Sequence, residues 1–162
     1  MAKYINPTLT ITSNKYSTGA NSGPTSSPIA ISVTDKLDVT EVIAKVIDVS
    51  DTHKVLFDAS TIAESVAGTD GAFIYIKNLT EGMTAADGTA NTADVYIGHG
   101  ATGALEGAGD ADKRRLMTLK PGEFSFFSYD FEADLIIDGS NSTAIDGAVE
   151  AILFMRTGTT NA

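Results

Sequence analysis

The chain has no cysteine, no tryptophan, only two histidines, and 11 basic residues against 21 acidic ones in a length of 162. Without cysteine there is no disulfide, no thiolate metal site and no cysteine nucleophile. Two separated histidines make a poor zinc set. No apolar run approaches the ~20 residues that a membrane-spanning helix needs. The start, Met1-Ala2-Lys3-Tyr4-Ile5-Asn6-Pro7, lacks the apolar stretch of a secretory signal. The net charge is -10 at pH 7, and the one adjacent basic set, Lys113-Arg114-Arg115, follows Asp110 and Asp112. Nucleic acid wants clustered lysine and arginine, so neither nucleic acid nor membrane is an expected partner. Seven Phe and five Tyr without Trp are a thin set for a flat carbohydrate platform.

What is present is β-signal. Hydrophobic residues make up 43% of the chain, enough for a globular core in a single domain without staples. The segments Phe73-Ile74-Tyr75-Ile76-Lys77, Val95-Tyr96-Ile97-Gly98, Arg115–Leu119 and Glu123–Ser128 are short apolar-aromatic runs bounded by Gly, Pro or Asn. Ile29–Thr34 alternates. Leu37–Val49 has apolar spacing near that of a helix, but β-branching predicts a strand. His53–Phe57, Ala133–Ile137 and Ala148–Arg156 complete the set, and Ala59–Ala67 is one helical turn or two. Both faces of Phe73–Lys77 are apolar, as in a strand covered on both sides. Lys120-Pro121-Gly122-Glu123 is a tight-turn pattern, with Pro presetting φ and Gly tolerating positive φ. It predicts a hairpin between the runs on either side.

Three loops stand out: 13–27, 80–92 and the Gly-rich 98–112, with Asp138-Gly139-Ser140-Asn141 a further turn. Pro7 restricts Tyr4–Thr12 to an edge strand or an arm. The expected organisation is an N-terminal arm and loop over 1–27, a β domain over 28–156 and a polar tail over 157–162. The expected fold class is all-β, an antiparallel β-sandwich of jelly-roll type with long polar loops.

No constellation points to catalysis. His53 lies at a turn and His99 in Gly98-His99-Gly100, neither within a nucleophile elbow. Carboxylates are too many for any pair to be singled out as a glycosidase couple. Asp110/Asp112 and the Asp138–Asn141 turn are the best calcium candidates, yet neither matches a spaced-ligand loop. The Gly98–Gly109 stretch lacks the Lys-Ser/Thr end of a phosphate cradle. Asn78-Leu79-Thr80 matches a glycosylation triplet that means little without a secretory signal. No enzyme activity, cofactor or metal is expected. Phe124, Phe126, Phe127, Tyr129 and Phe131 place rings on both faces of one segment, so one face is core and the other is a second buried face or an interface.

The run Ala72–Asn78, the Val95–Gly98 strand and Leu119-Lys120-Pro121-Gly122-Glu123-Phe124 resemble the hairpin core of small virion proteins of tailed bacteriophages. The resemblance implies a β-sandwich displayed on a virion, made in the host cytoplasm, acting as a capsid decoration or cement protein. The implied partners are the major capsid protein or other virion proteins, and further copies of the chain itself. On this reading the contact residues are Tyr4, Ile5, Pro7 and Leu9 of the arm, the 13–27 loop, and Phe126, Tyr129 and Phe131. The alternative is a tail or fibre module that binds a host receptor or glycan through loops 82–92 and 98–112. A small hydrolase is a third reading and needs a histidine within reach of a carboxylate.

Overall fold

A computed structural model describes residues 3–12, 30–34, 36–49, 52–60, 62, 71–80, 93–100, 114–139 and 147–156. The loops expected at 13–27 and 82–92, most of 98–112, and the tail lie outside them. Almost every described element is a β-strand, with helical geometry only at Ala59, Ser60, Ile62 and Arg114. The chain is all-β and mostly antiparallel. It divides into two compact units, Met1–Val39 and Thr40–Ala162.

In the first unit Pro7 separates two strands, β1 (Lys3–Ile5) and β2 (Thr8–Thr12), where the sequence suggested one edge strand or arm. Proline has no N–H to give a ladder, so the break falls on it. β1 pairs with the first residues of β4 (Leu37–Val49), from Lys3↔Val39 to Ile5↔Leu37. β2 pairs with β3 (Ala30–Thr34), and the Thr8 and Thr34 hydroxyls meet at 3.2 Å.

In the second unit β4 continues, followed by β5 (Lys54–Phe57), β6 (Ala72–Asn78), β7 (Val95–His99), β8 (Arg115–Leu119), β9 (Phe124–Tyr129), β10 (Leu135–Gly139) and β11 (Gly147–Arg156). One sheet runs β4-β11-β6-β9 and the other β5-β10-β7-β8. The order has a simple origin. β4 borders β11, β5 pairs with β10, β6 with β9 and β7 with β8. The chain is therefore a long ribbon, out along β4 to β7 and back along β8 to β11, and successive pairs of the ribbon fall in alternate sheets.

Both sheets feed one hydrophobic cluster. Ile74 and Ile76 (β6) and Leu153 (β11) come from one, and Leu56 (β5), Ile97 (β7) and Leu135 (β10) from the other. Strict alternation does this: every second residue of β6 is buried, from Ala72 to Asn78. Each fully buried Leu or Ile contributes roughly 1.5–3 kcal/mol. The outer faces differ. β10 is buried on both sides, with Ile136 and Asp138 also hidden. The outer residues of β6 and β11 are only half-buried, so β6 is covered fully on one face rather than on both as expected.

Lys120–Glu123 is the expected tight turn, with Glu123 N–H donating to Lys120 O at 2.9 Å and Gly122 at φ 81°. It is not a hairpin: β8 pairs with β7 and β9 with β6, in different sheets. A hairpin would pair Lys120 N–H with Glu123 O. Instead Lys120 N–H donates to Glu123 Oε2 (2.8 Å), and Glu123 O accepts from Asn78 N–H (2.9 Å). Gly122 N–H donates to Asn78 O at 3.0 Å. The Asn78 side chain, fully buried, then reaches the other sheet: Nδ2 donates to Leu119 O (3.0 Å) and to Ala93 O (3.2 Å). Its Oδ1 accepts from Thr80 N–H at 2.9 Å. One asparagine binds the corner to both sheets.

Two further expectations shift. Asp138-Gly139 continues β10 rather than turning, with Asp138 buried and its Oδ1 accepting from Gly139 N–H at 2.9 Å. Gly98-His99 completes β7 rather than opening a loop, because Gly98 and His99 sit opposite Ile136 and Leu135.

Replacing Asn78 with Ala removes three buried hydrogen bonds, and should cost about 2–4 kcal/mol in urea unfolding, against near-neutrality for an exposed control. Gly71 holds φ 82°, and a Cβ there would overlap the Tyr129 carbonyl oxygen and lie 2.9 Å from Asp130 Cα. Gly71→Ala should therefore lower stability by about 2–4 kcal/mol in the same assay.

Candidate functional site

The strongest candidate is the outer face of the sheet β4-β11-β6-β9. Ladder register identifies it residue by residue. Opposite residues of neighbouring strands share a face, and β6–β9 pairs Tyr75 with Phe126 and Lys77 with Phe124. β11–β6 pairs Phe154 with Phe73 and Ile152 with Tyr75. Ile43 and Ile47 of β4 pack on the core, which turns Val42 and Val46 to the same outer side.

This face is apolar and open. Phe124 is 63% exposed, Phe126 40%, Val42 45% and Val46 62%. Its rings order one another. Phe73 and Phe126 stack with centroids 5.7 Å apart and planes 7° from parallel. Phe126 also meets Phe154 at 6.3 Å, and Tyr75 meets Phe124 at 6.0 Å. Such pairs contribute about 0.5–1.5 kcal/mol each beyond area burial. The Arg156 guanidinium covers the Phe73 ring at 4.8 Å. Lys77 sits opposite Glu150 in the ladder, so charge lies at the rim of the face.

The residues expected from sequence divide. In the first unit Tyr4 is exposed, with Lys36 Nζ 4.7 Å from its ring centroid, and Leu9 is exposed on β2. Ile5 and Pro7 are half-buried. In the second unit Phe126 is on the open face. Phe131 is not a surface residue: it is 7% exposed, inside the core, at φ 60° between β9 and β10. The crossing from one sheet to the other turns its ring inward. Tyr129 packs edge-on against it at 4.9 Å and donates its hydroxyl to Ala133 O at 2.9 Å. Sequence reasoning missed Phe73, Tyr75, Phe154, Val42 and Val46. Their period-two spacing was visible, but not which side of each strand lacked a cover.

Chemistry-bearing groups are scattered. Among the described residues no three His, Asp or Glu side chains converge as a metal would need, and no helix is long and apolar enough to cross a membrane. Asp110, Asp112, Ser140 and Asn141 lie outside the described residues. His53 precedes β5 and His99 ends β7, both half-buried. A shallow depression at the strand ends is lined by Ser128, Tyr129, Asp130 and Arg156. Lys45, 4.4 Å over the Phe57 ring, has its pKa lowered by burial. Comparisons with protein-family models, with curated proteins and with solved structures gave no match.

Tyr129 yields a pH test. Burial, and then the negative charges of Asp130, Asp134 and Glu132, hold its phenol above the usual range. A raised phenol pKa leaves stability unchanged below the unfolded-state value of about 10 and removes it as pH rises further. Tyr75 is raised too, by burial and then Glu150. Urea midpoints should therefore fall between pH 8 and strongly alkaline pH. The fall should be smaller in Tyr129→Phe, and an equal fall would show that Tyr129 does not contribute.

Proposed function

We propose that β4 to β11 form a jelly-roll β-sandwich and that the protein is a structural component of a tailed-phage virion, a decoration or cement protein of the head. It holds the major capsid protein or neighbouring virion proteins, and its own copies, by non-covalent contact. The observation that carries this reading is the outer face of one sheet, on which Phe124 and Phe126 of β9 and Val42 and Val46 of β4 are exposed. Large exposed apolar side chains on one sheet face, with charge at its rim, mark contact with another macromolecule.

Other features support it. A two-armed ribbon alternating between two sheets is what a jelly roll requires, and this architecture recurs in viral capsid domains. It also recurs in lectins, so fold alone does not choose the function. The acidity suits an outer surface that must stay soluble and repel nucleic acid. The exposed arm residues Tyr4 and Leu9 fit a second, strand-like attachment.

Co-sedimentation of the purified protein with heads and with tails of the particle is the test. Binding to heads is expected, and Phe124→Ser combined with Val46→Ser should weaken it at least ~10-fold, as for the loss of two exposed apolar contacts. Binding to neither heads nor tails would overturn the virion reading. Saturable glycan binding would put the tail-fibre alternative in its place.

A further inference from the structure

β9 ends its sheet. One side is paired with β6 in unbroken register from Ala72↔Tyr129 to Lys77↔Phe124, and no strand borders the other side among the described residues. Proteins normally blunt such an edge with charge, proline or a bulge. β9 reads Phe-Ser-Phe-Phe-Ser-Tyr, with none of these. Within the second unit the other borders are defended. β5 starts at Lys54, and its ladder with β10 shifts register at Leu135/Ile136. β8 starts at Arg115, and its ladder with β7 shifts at Ile97/Gly98. β4 holds Glu41, Lys45 and Asp48.

The core is also open along this border. Phe127 packs against the core yet remains half-buried, while its ladder partner Ile74 is 0% exposed. A strand laid along β9 would cover it. Charge narrows the occupant. A chain of net charge -10 repels its own copies wherever carboxylates face. β9 is an uncharged strip between Glu123 and Asp130.

We propose that the free edge of β9 pairs antiparallel with β9 of a second copy of this chain, about a twofold axis through Phe126. An axis perpendicular to the sheet keeps the outer face outer, so directly opposite residues must share a face. Centring on Phe126 satisfies this and fits large against small. Phe124 falls opposite Ser128 of the second copy, Ser125 opposite its Phe127, and the two Phe126 rings meet. Glu123 falls opposite Tyr129, and Asp130 opposite Gly122, so no two carboxylates stand directly opposite each other. The two open core borders close on each other, and the aromatic face becomes continuous across both molecules. This deepens the self-association in the virion reading, but it needs no particle, so loss of head binding leaves it standing.

The absence of cysteine makes the test direct, because Phe126→Cys introduces the only thiol. Opposed residues of an antiparallel pair lie about 5.5 Å apart at Cα, within disulfide range. Under mild oxidation Phe126→Cys should form a covalent dimer at least ~10-fold faster than Val46→Cys, which is more exposed but borders the far side of the sheet. Light scattering of the unaltered protein at high concentration should approach twice the 16.9 kDa chain mass. Phe126→Lys should return it to one chain, with circular dichroism confirming that it is still folded. Cross-linking of Phe126→Cys no faster than Val46→Cys would overturn the proposal. So would a dimer that survives Phe126→Lys.

Discussion

A single buried asparagine settles how the two sheets of the second unit meet. Asn78 ends β6, and its backbone holds Gly122 and Glu123 beside that strand, while its amide holds the end of β8 and the approach to β7. A buried amide must be paired or it costs several times what one bond returns. Its partners bring the ends of β6 and β8, the approach to β7 and the start of β9 together. From that corner β9 joins β6, and β10 and β11 follow in alternate sheets.

The consequence is an uneven molecule. One sheet has its interior strand β10 hidden on both sides, and the other leaves its outer aromatics half-covered. Among the described residues that second sheet also ends in β9, an uncharged strand. Phe126 stacks on Phe73 and meets Phe154 at a tilt, and such mutual ring contact lowers the entropy a partner must overcome on docking. The same contacts tie the apolar face to the edge, because Phe126 belongs to both.

Positive φ is placed where strands change sheets. Phe131, a non-glycine residue at φ 60°, lies in the crossing from β9 to β10, and Gly71 at φ 82° precedes β6 against the Tyr129 carbonyl. A left-handed phenylalanine costs about 1 kcal/mol or more, which burial of its ring offsets. Tyr129 completes this corner through its edge contact and its bond to Ala133 O.

Much of the fold was legible in the residues themselves. β-branching made a strand of Leu37–Val49, alternation marked Phe73–Lys77, and Pro121-Gly122 chose the turn, because each of these is a local preference of the backbone. Partner strands were not legible. The Lys120–Glu123 turn was read as a hairpin because a turn sequence states its own φ and ψ and says nothing about where the next hydrogen bonds go. Asn78 looked like part of a glycosylation triplet, and Phe131 like a surface ring, because one residue's burial depends on segments far along the chain. Composition and period-two patterning determined that this chain is all-β, acidic and free of thiol chemistry. Only the tertiary structure decided which aromatic side stays open and which strand ends its sheet, since cover and edge are relations between strands and not properties of any one of them.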